Sequence, residues 1–285
     1  MLFRSDAQQL IGEAIKLNPR SPDAHYNRGC ALQGLDRAEE ALGCFDAAIA
    51  LNPRYDEALV NRGATLLSLK RYPEALASFD AALALKPADV EALASRGNAL
   101  LPLGRIDEAF ASFDKALALS PGNAELWNNR GVALMAAKRR GDALASFERA
   151  IAIAPAYDAA IVNWALTLFE MQRRDEALAS YARAIAARPR SVELRAARAA
   201  ALMAMRRYEE AGKDYEAALA IDPNHKYAGG NLAFCRLYSC DWRDFPQILE
   251  KPLRGAQAGK AILNPFQALA MSRSPADLRR NARDW

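Results

Sequence analysis

"NRGVAL" (residues 129–134) is the stretch on which the reading turns. Thirty-four residues earlier the chain reads "SRGNAL" (95–100), and two more steps of the same length give "NRGATL" (61–66) and "NRGCAL" (27–32). Near-identity at one fixed period marks a chain built from stacked copies of a supersecondary unit. Other columns keep the same register. Prolines recur at Pro19, Pro53, Pro87, Pro121, Pro155, Pro189 and Pro223. Twelve residues before the last six stand Ala41, Ala75, Ala109, Ala143, Ala177 and Ala211, and eight before stand the rings Phe45, Phe79, Phe113, Phe147, Tyr181 and Tyr215. Five before are Ala48, Ala82, Ala116, Ala150, Ala184 and Ala218.

Each unit holds two apolar stretches with helical spacing, such as Gly29, Leu32 and Leu35, then Ala41, Phe45 and Ala48. A short polar turn, "LDRAE" (35–39), separates them. The unit is therefore a helical hairpin, helix A near 23–35 and helix B near 39–51. Small residues at Gly29, Gly63, Gly97, Gly131, Ala165 and Ala199 let the two helices approach, and the ring of helix B fills the gap beside them. Proline ends helix B because it cannot continue the helix.

A small residue, alanine, an aromatic ring, alanine and proline at these offsets in a 34-residue helix–turn–helix resemble the tetratricopeptide repeat. The match covers six units, 22–55, 56–89, 90–123, 124–157, 158–191 and 192–225. Two columns depart from the family pattern. Leu32, Leu66, Leu100, Leu134, Leu168 and Leu202 replace a mid-helix aromatic, and Arg28, Arg62, Arg96, Arg130 and Arg198 stand where leucine is commoner. The resemblance implies an all-α, right-handed superhelix whose helices A line the concave side.

The register also describes the ends. Residues 1–21 match the second half of a unit through Ala7, Ala14, Leu17 and Pro19, so a lone capping helix is expected there. Residues 226–285 begin as one more helix A, keeping Asn231 and Ala233, and then lose the register at Phe245 and Pro252. A capping segment, a linker through Gly255 and Gly259, and a last helix near 275–284 follow. Ser274 is its N-cap and Pro275 its first residue.

Composition narrows the function classes. A net charge of +4 from 38 basic and 34 acidic residues is too balanced for a nucleic-acid binder. No apolar run reaches the roughly 18 residues of a membrane span, and the N-terminus "MLFRSDAQQL" meets charge too early for a signal peptide. The four cysteines form no CxxC pair and the two histidines, His25 and His225, stand far apart, so neither a metal nor a cofactor is expected. A cytoplasmic protein is the expectation, with a homodimer left open. There is no glycine-rich phosphate loop, HExxH or GxSxG motif, and this chain is not expected to be an enzyme.

Binding is the remaining class. On helix A, the column Tyr26, Val60, Ala94, Asn128, Val162 and Ala196 faces the groove that the resemblance implies. Beside it runs Asn27, Asn61, Ser95, Asn129, Asn163, Ala197 and Asn231. An amide both donates and accepts, so a ladder of asparagines can hold the main chain of an extended peptide whatever its sequence. Equally, asparagine here can serve only to order helix A, as is common in the family. Asn27, Asn61, Asn129, Asn163, Asn231, Tyr26 and Asn128 are the candidate contacts. Asp23, Glu57, Glu91, Glu125 and Glu193 occupy the first turn of helix A, where the helix dipole favours acid and where they could also form an acidic lip for basic ligands. Arg37, Arg71, Arg105, Arg139, Arg173 and Arg207 sit in the hairpin turns, where cations suit the end of helix A. Trp127 and Trp164 read as packing residues ahead of ligand anchors.

The tail carries a second resemblance. "NLAFCRLYSCDWRDF" (231–245) and "NPFQALAMSRSPADLRRNARDW" (264–285) resemble the junction between the repeat arm and the catalytic region of bacterial O-linked N-acetylglucosamine transferase-like proteins, the family 41 glycosyltransferases. That family's repeat arm also carries an asparagine column. No residue here matches its catalytic or UDP-binding motifs. The expectation is a protein–protein interaction module, the substrate- or partner-recruiting arm of such a transferase; a stand-alone adaptor or chaperone-like scaffold is the alternative.

Overall fold

The computed structural model describes residues 19–225 and 227–241. Those residues hold thirteen α-helices and no strand. The capping half-repeat up to residue 18, the cap and linker from residue 242, and the expected last helix lie outside them. Six hairpins follow one another: α1 (Pro22–Gln33) with α2 (Ala38–Leu51), α3 (Asp56–Ser68) with α4 (Tyr72–Leu85), α5 (Val90–Leu100) with α6 (Ile106–Leu119), α7 (Ala124–Ala136) with α8 (Arg140–Ile153), α9 (Asp158–Glu170) with α10 (Arg174–Ala187), and α11 (Val192–Ala204) with α12 (Tyr208–Ile221). A single helix, α13 (Ala228–Tyr238), packs on α12. The chain divides into two compact units, the first ending at Pro155 and the second beginning at Ala156. Within each, a hairpin packs on the next; successive helices A of the first unit touch, as do α9 and α11 in the second.

The repeated columns are the core. Ala41, Ala75, Ala109, Ala143, Ala177 and Ala211 are all wholly buried, as are Phe45, Phe79, Phe113 and Phe147. A methyl group added to Gly29, Gly63, Gly97 or Gly131 would stand 2.6, 2.6, 2.6 and 2.4 Å from a ring atom of Phe45, Phe79, Phe113 and Phe147. Backbone and ring are therefore in van der Waals contact with no space for a Cβ. In the second unit the partners change together: Ala165 and Ala199 replace glycine, and Tyr181 and Tyr215 replace phenylalanine. Leu32, Leu66, Leu100, Leu134 and Leu168, in the place of the family's aromatic, are buried too.

Each hairpin turn is closed by the backbone. The N–H groups of Arg37, Arg71, Arg105, Arg139, Arg173 and Arg207 donate to the carbonyls of Leu32, Leu66, Leu100, Leu134, Leu168 and Leu202 at 2.9 to 3.1 Å. The residue before each arginine is left-handed: Asp36, Lys70, Gly104, Lys138, Gln172 and Arg206, with φ between 59° and 71°. This is the Schellman arrangement that satisfies the last carbonyls of helix A. It also shortens that helix, which ends at Gln33 and not at residue 35.

The turn arginines do not act through the end of helix A. Each is the N-cap of a helix B. Its guanidinium pairs three residues on, with Glu40, Glu74, Glu108, Asp142, Glu176 and Glu210. A cation is unfavourable at a helix N-terminus, and the first-turn acid restores the balance. The bond from each arginine holds Glu40, Glu74, Glu108, Glu176 and Glu210 below the usual carboxylate range. The proline after helix B follows an extended C-cap residue, as at Asn52 before Pro53 and Asp222 before Pro223.

Candidate functional site

Helix A buries one face against helix B and leaves the other unpacked. In the first unit the open face of α3 runs Glu57, Asn61, Ala64 and Ser68, that of α5 runs Glu91, Ser95 and Asn98, and that of α7 runs Glu125, Asn129, Val132 and Ala136. Every one of these is exposed or half-buried. In the second unit the same register carries Asn163 and Leu166 on α9, Ala197 and Ala200 on α11, and Asn231, Phe234 and Tyr238 on α13. Leu166 and Tyr238 are 48% and 54% exposed. The first face is polar and acidic; the second keeps exposed acids at Glu170 and Glu193 and is otherwise largely apolar.

The structure places the asparagine column in four environments. Asn27 is exposed. The Asn61 amide donates to the Tyr26 hydroxyl at 2.9 Å, and the Asn231 amide donates to the Tyr215 hydroxyl at 3.0 Å. Asn129 Oδ1 accepts from Asn128 Nδ2 at 3.4 Å, and Asn128 itself is only 6% exposed. Asn163 is half-buried, and its carbonyl accepts from Thr167 at 2.7 Å. Tyr26 packs its ring on Phe45 and Tyr55, with centroids 6.0 and 5.1 Å away. Burial above all, and then the Cys30 contact, pushes the Tyr26 phenol up to about 12. Burial first, and hydrogen bonding to the Asp23 carboxylate next, raises Tyr55.

The arginine column, read from sequence only as a departure, proves to be an interhelical tie. Arg62 on α3 donates through Nε to Asp46 on α2 at 2.6 Å and through Nη1 to Ser78 on α4 at 2.6 Å. Arg96 reaches Asp80 and Ser112 at 2.6 and 2.7 Å, and Arg130 reaches Asp114 and Ser146 at 2.8 and 3.0 Å. Three hairpins of the first unit are thus each bound to the preceding one. In the second unit Arg198 forms a two-bond pair with the buried Asp214, at 2.7 and 2.6 Å. Trp164 takes the arginine's place in the fifth hairpin, and Ser180 turns back to the carbonyl of Ala177 at 2.7 Å. The signal was in the sequence: Asp, Arg and Ser recur at intervals of sixteen, as Asp46–Arg62–Ser78 and its two copies.

One more column locks the loops between hairpins. His25 Nε2 lies 3.0 Å from the carbonyl of Pro19, Trp127 Nε1 donates to that of Pro121 at 2.9 Å, and Arg195 donates to that of Pro189 at 3.1 and 2.9 Å. Trp127 therefore has a packing role. Among the described residues there is no group of three metal-ligating side chains. No helix among them is long and apolar enough to cross a membrane. A cleft of about 520 Å³ beside α10 and α12 is lined mostly by charges already in pairs, Arg198 with Asp214, Arg207 with Glu210, and Lys213 with Glu209, together with Asp175.

The tetratricopeptide repeat family model matches residues 26–90, 94–158 and 162–226. No curated protein sequence matches the chain. A tetratricopeptide repeat protein from Parabacteroides merdae is 19% identical, with a TM-score of 0.68 over 81% of this chain and 92% of its own. The APC/C Cut9–Hcn1 hetero-tetramer is 16% identical with a TM-score of 0.62 over 81% of this chain, which spans only 46% of that chain's length. YrrB, described as a tetratricopeptide repeat protein with an unusual peptide-binding site, is 22% identical with a TM-score of 0.52 over 66% of this chain and 97% of its own. At these identities the likeness is one of fold.

Proposed function

Because the chain belongs to the tetratricopeptide repeat family, we propose that it binds a polypeptide partner in extended form along its helix-A faces. The observation that carries this reading is the return of an asparagine to one accessible register of helix A: Asn27, Asn61 and Asn129 in the first unit, Asn163 and Asn231 in the second. The amides hold the main chain of the ligand. Tyr26 and Asn128 position the amides of Asn61 and Asn129 through the bonds described. Among structures of this fold, YrrB is described as having a peptide-binding site. A reducing, cytoplasmic setting suits Cys30, Cys44, Cys235 and Cys240, all free thiols.

Replacing Asn27 and Asn129 together by Ala tests the reading. Each lost hydrogen bond is worth about 1 kcal/mol, so affinity for extended peptides selected on the wild-type protein falls by roughly 10- to 30-fold. The melting temperature changes by no more than a degree or two, since Asn27 is exposed. Unchanged affinity in a calorimetric titration would sink the ladder.

A finer reading makes the chain the recruiting arm of an O-linked N-acetylglucosamine transferase-like protein. It is favoured by the resemblance of residues 231–245 and 264–285 to that family's junction. The intact mass of the native protein separates this from a stand-alone adaptor: a polypeptide far heavier than 31.1 kDa supports the arm, and one of that mass supports the adaptor.

A further inference from the structure

Resting on that reading, we infer that the helix-A face of the first unit takes a basic segment of its partner, with lysine or arginine recurring at about every third position. The face is unpartnered within the unit and carries an uncompensated charge. Glu57, Glu91 and Glu125 are exposed at equivalent positions of α3, α5 and α7, and none has an ion pair among the described residues. The tie and turn arginines of the same unit are committed elsewhere. Arg62, Arg96 and Arg130 pair with Asp46, Asp80 and Asp114, and Arg37, Arg71, Arg105 and Arg139 pair with the first-turn acids of helix B. The face therefore offers carboxylates, one per hairpin, each one helical turn from the Asn61, Ser95 or Asn129 position.

An aromatic pair adds ring faces to the same carboxylates. At one end of this face the rings of Tyr26 and Tyr55 lie 5.1 Å apart, and the carboxylates of Asp23 and Glu57 both act on Tyr55. Half-buried tyrosines flanked by two carboxylates suit the head group of lysine or arginine, which gains from ring faces and from charge at once. The second unit has less of this character, keeping the column acid on α11 as Glu193. Ala159 replaces the acid on α9, and Leu166, Phe234 and Tyr238 occupy the open face.

Geometry sets the ligand's spacing. Successive helices A of the unit touch, and packed helices lie about 8–10 Å apart. An extended chain advances about 3.3 Å per residue. One carboxylate per hairpin therefore meets roughly every third residue of a chain that crosses the helices.

Two synthetic thirteen-residue peptides test this on the full chain by fluorescence anisotropy. One has lysine at every third position with glycine and serine between; the other has glutamine in place of each lysine. The lysine peptide is expected to bind about ten-fold more tightly, and that margin to shrink between 50 and 300 mM salt, as exposed pairs are screened. The triple variant Glu57→Gln, Glu91→Gln, Glu125→Gln is expected to erase the margin. A variant removing equal charge off the face, Asp36→Asn, Glu39→Gln, Asp107→Asn, is expected to keep it. Equal binding of both peptides by the wild-type protein, each weakened by the Asn27 and Asn129 substitutions, would overturn the charge inference and leave the polypeptide reading standing. Equal loss in the two triple variants also overturns it, as general attraction to an acidic surface. If neither peptide binds, the polypeptide reading falls and the inference with it.

Discussion

Glycine inside a helix has two opposite meanings in this chain. At Gly97 a Cβ would meet the Phe113 ring at 2.6 Å, and that ring is wholly buried. Gly97→Ala should therefore cost about 1–3 kcal/mol by overpacking. Gly43 sits inside α2 with nothing within 4 Å of an added Cβ. Gly43→Ala should instead gain about 1 kcal/mol, the helix propensity difference. Thermal melts of the two variants should move in opposite directions by a few degrees. Movement in the same direction would mean that Phe113 yields, and that the close approach is not the reason for glycine. The sequence showed the small column; only the contact to the ring shows why glycine stands opposite phenylalanine.

The turn is the element that the period does not explain by itself. Six turns adopt one left-handed geometry, yet only Gly104 has the side chain that geometry favours. The others carry Asp36, Lys70, Lys138, Gln172 and Arg206. A side chain in this conformation costs about 1–2 kcal/mol, partly offset by the freedom glycine gains when unfolded. Lys138→Gly should stabilise the hairpin by about 0.5–1 kcal/mol, read as a rise in the melting temperature. A fall would show that Lys138 makes a contact worth more than its strain. The arginine after each of these residues was legible as a turn residue, but its partner was not. Helix phase decides that, since the N-cap guanidinium reaches a first-turn acid three residues on.

Across the whole chain the turn pairs make stability depend on pH. Glu40, Glu74, Glu108, Glu176 and Glu210 all titrate below the ordinary glutamate value of about 4.3 because an arginine bonds each one. A carboxylate lowered in the folded state contributes stability above its unfolded pKa, and loses it as pH falls through the folded one. The melting temperature should therefore hold from pH 7 to about 5 and drop below about 4. The double variant Glu74→Gln, Glu108→Gln should show a shallower acid drop. An identical drop would assign acid sensitivity to other carboxylates. Each pair is exposed and separately small; repetition in five turns makes the effect measurable.

Period and spacing by themselves determined the helical hairpin and its buried columns; the all-α superhelix and the candidate binding register came from the family resemblance those columns carry. A 34-residue repeat of small, aromatic and proline positions leaves one way to bury its apolar faces. What the tertiary structure decided is which polar side chains remain available. Arg62, Arg96 and Arg130 look like free cations in sequence, but each lies between helices that fold brings to either side of it. Asn61, Asn128 and Asn129 are one type of residue in the chain and three environments in the fold, since exposure and bonding depend on neighbours far away in sequence. Glu57, Glu91 and Glu125 stand out for the same reason: charge alone could not separate them from the carboxylates that packing supplies with an arginine.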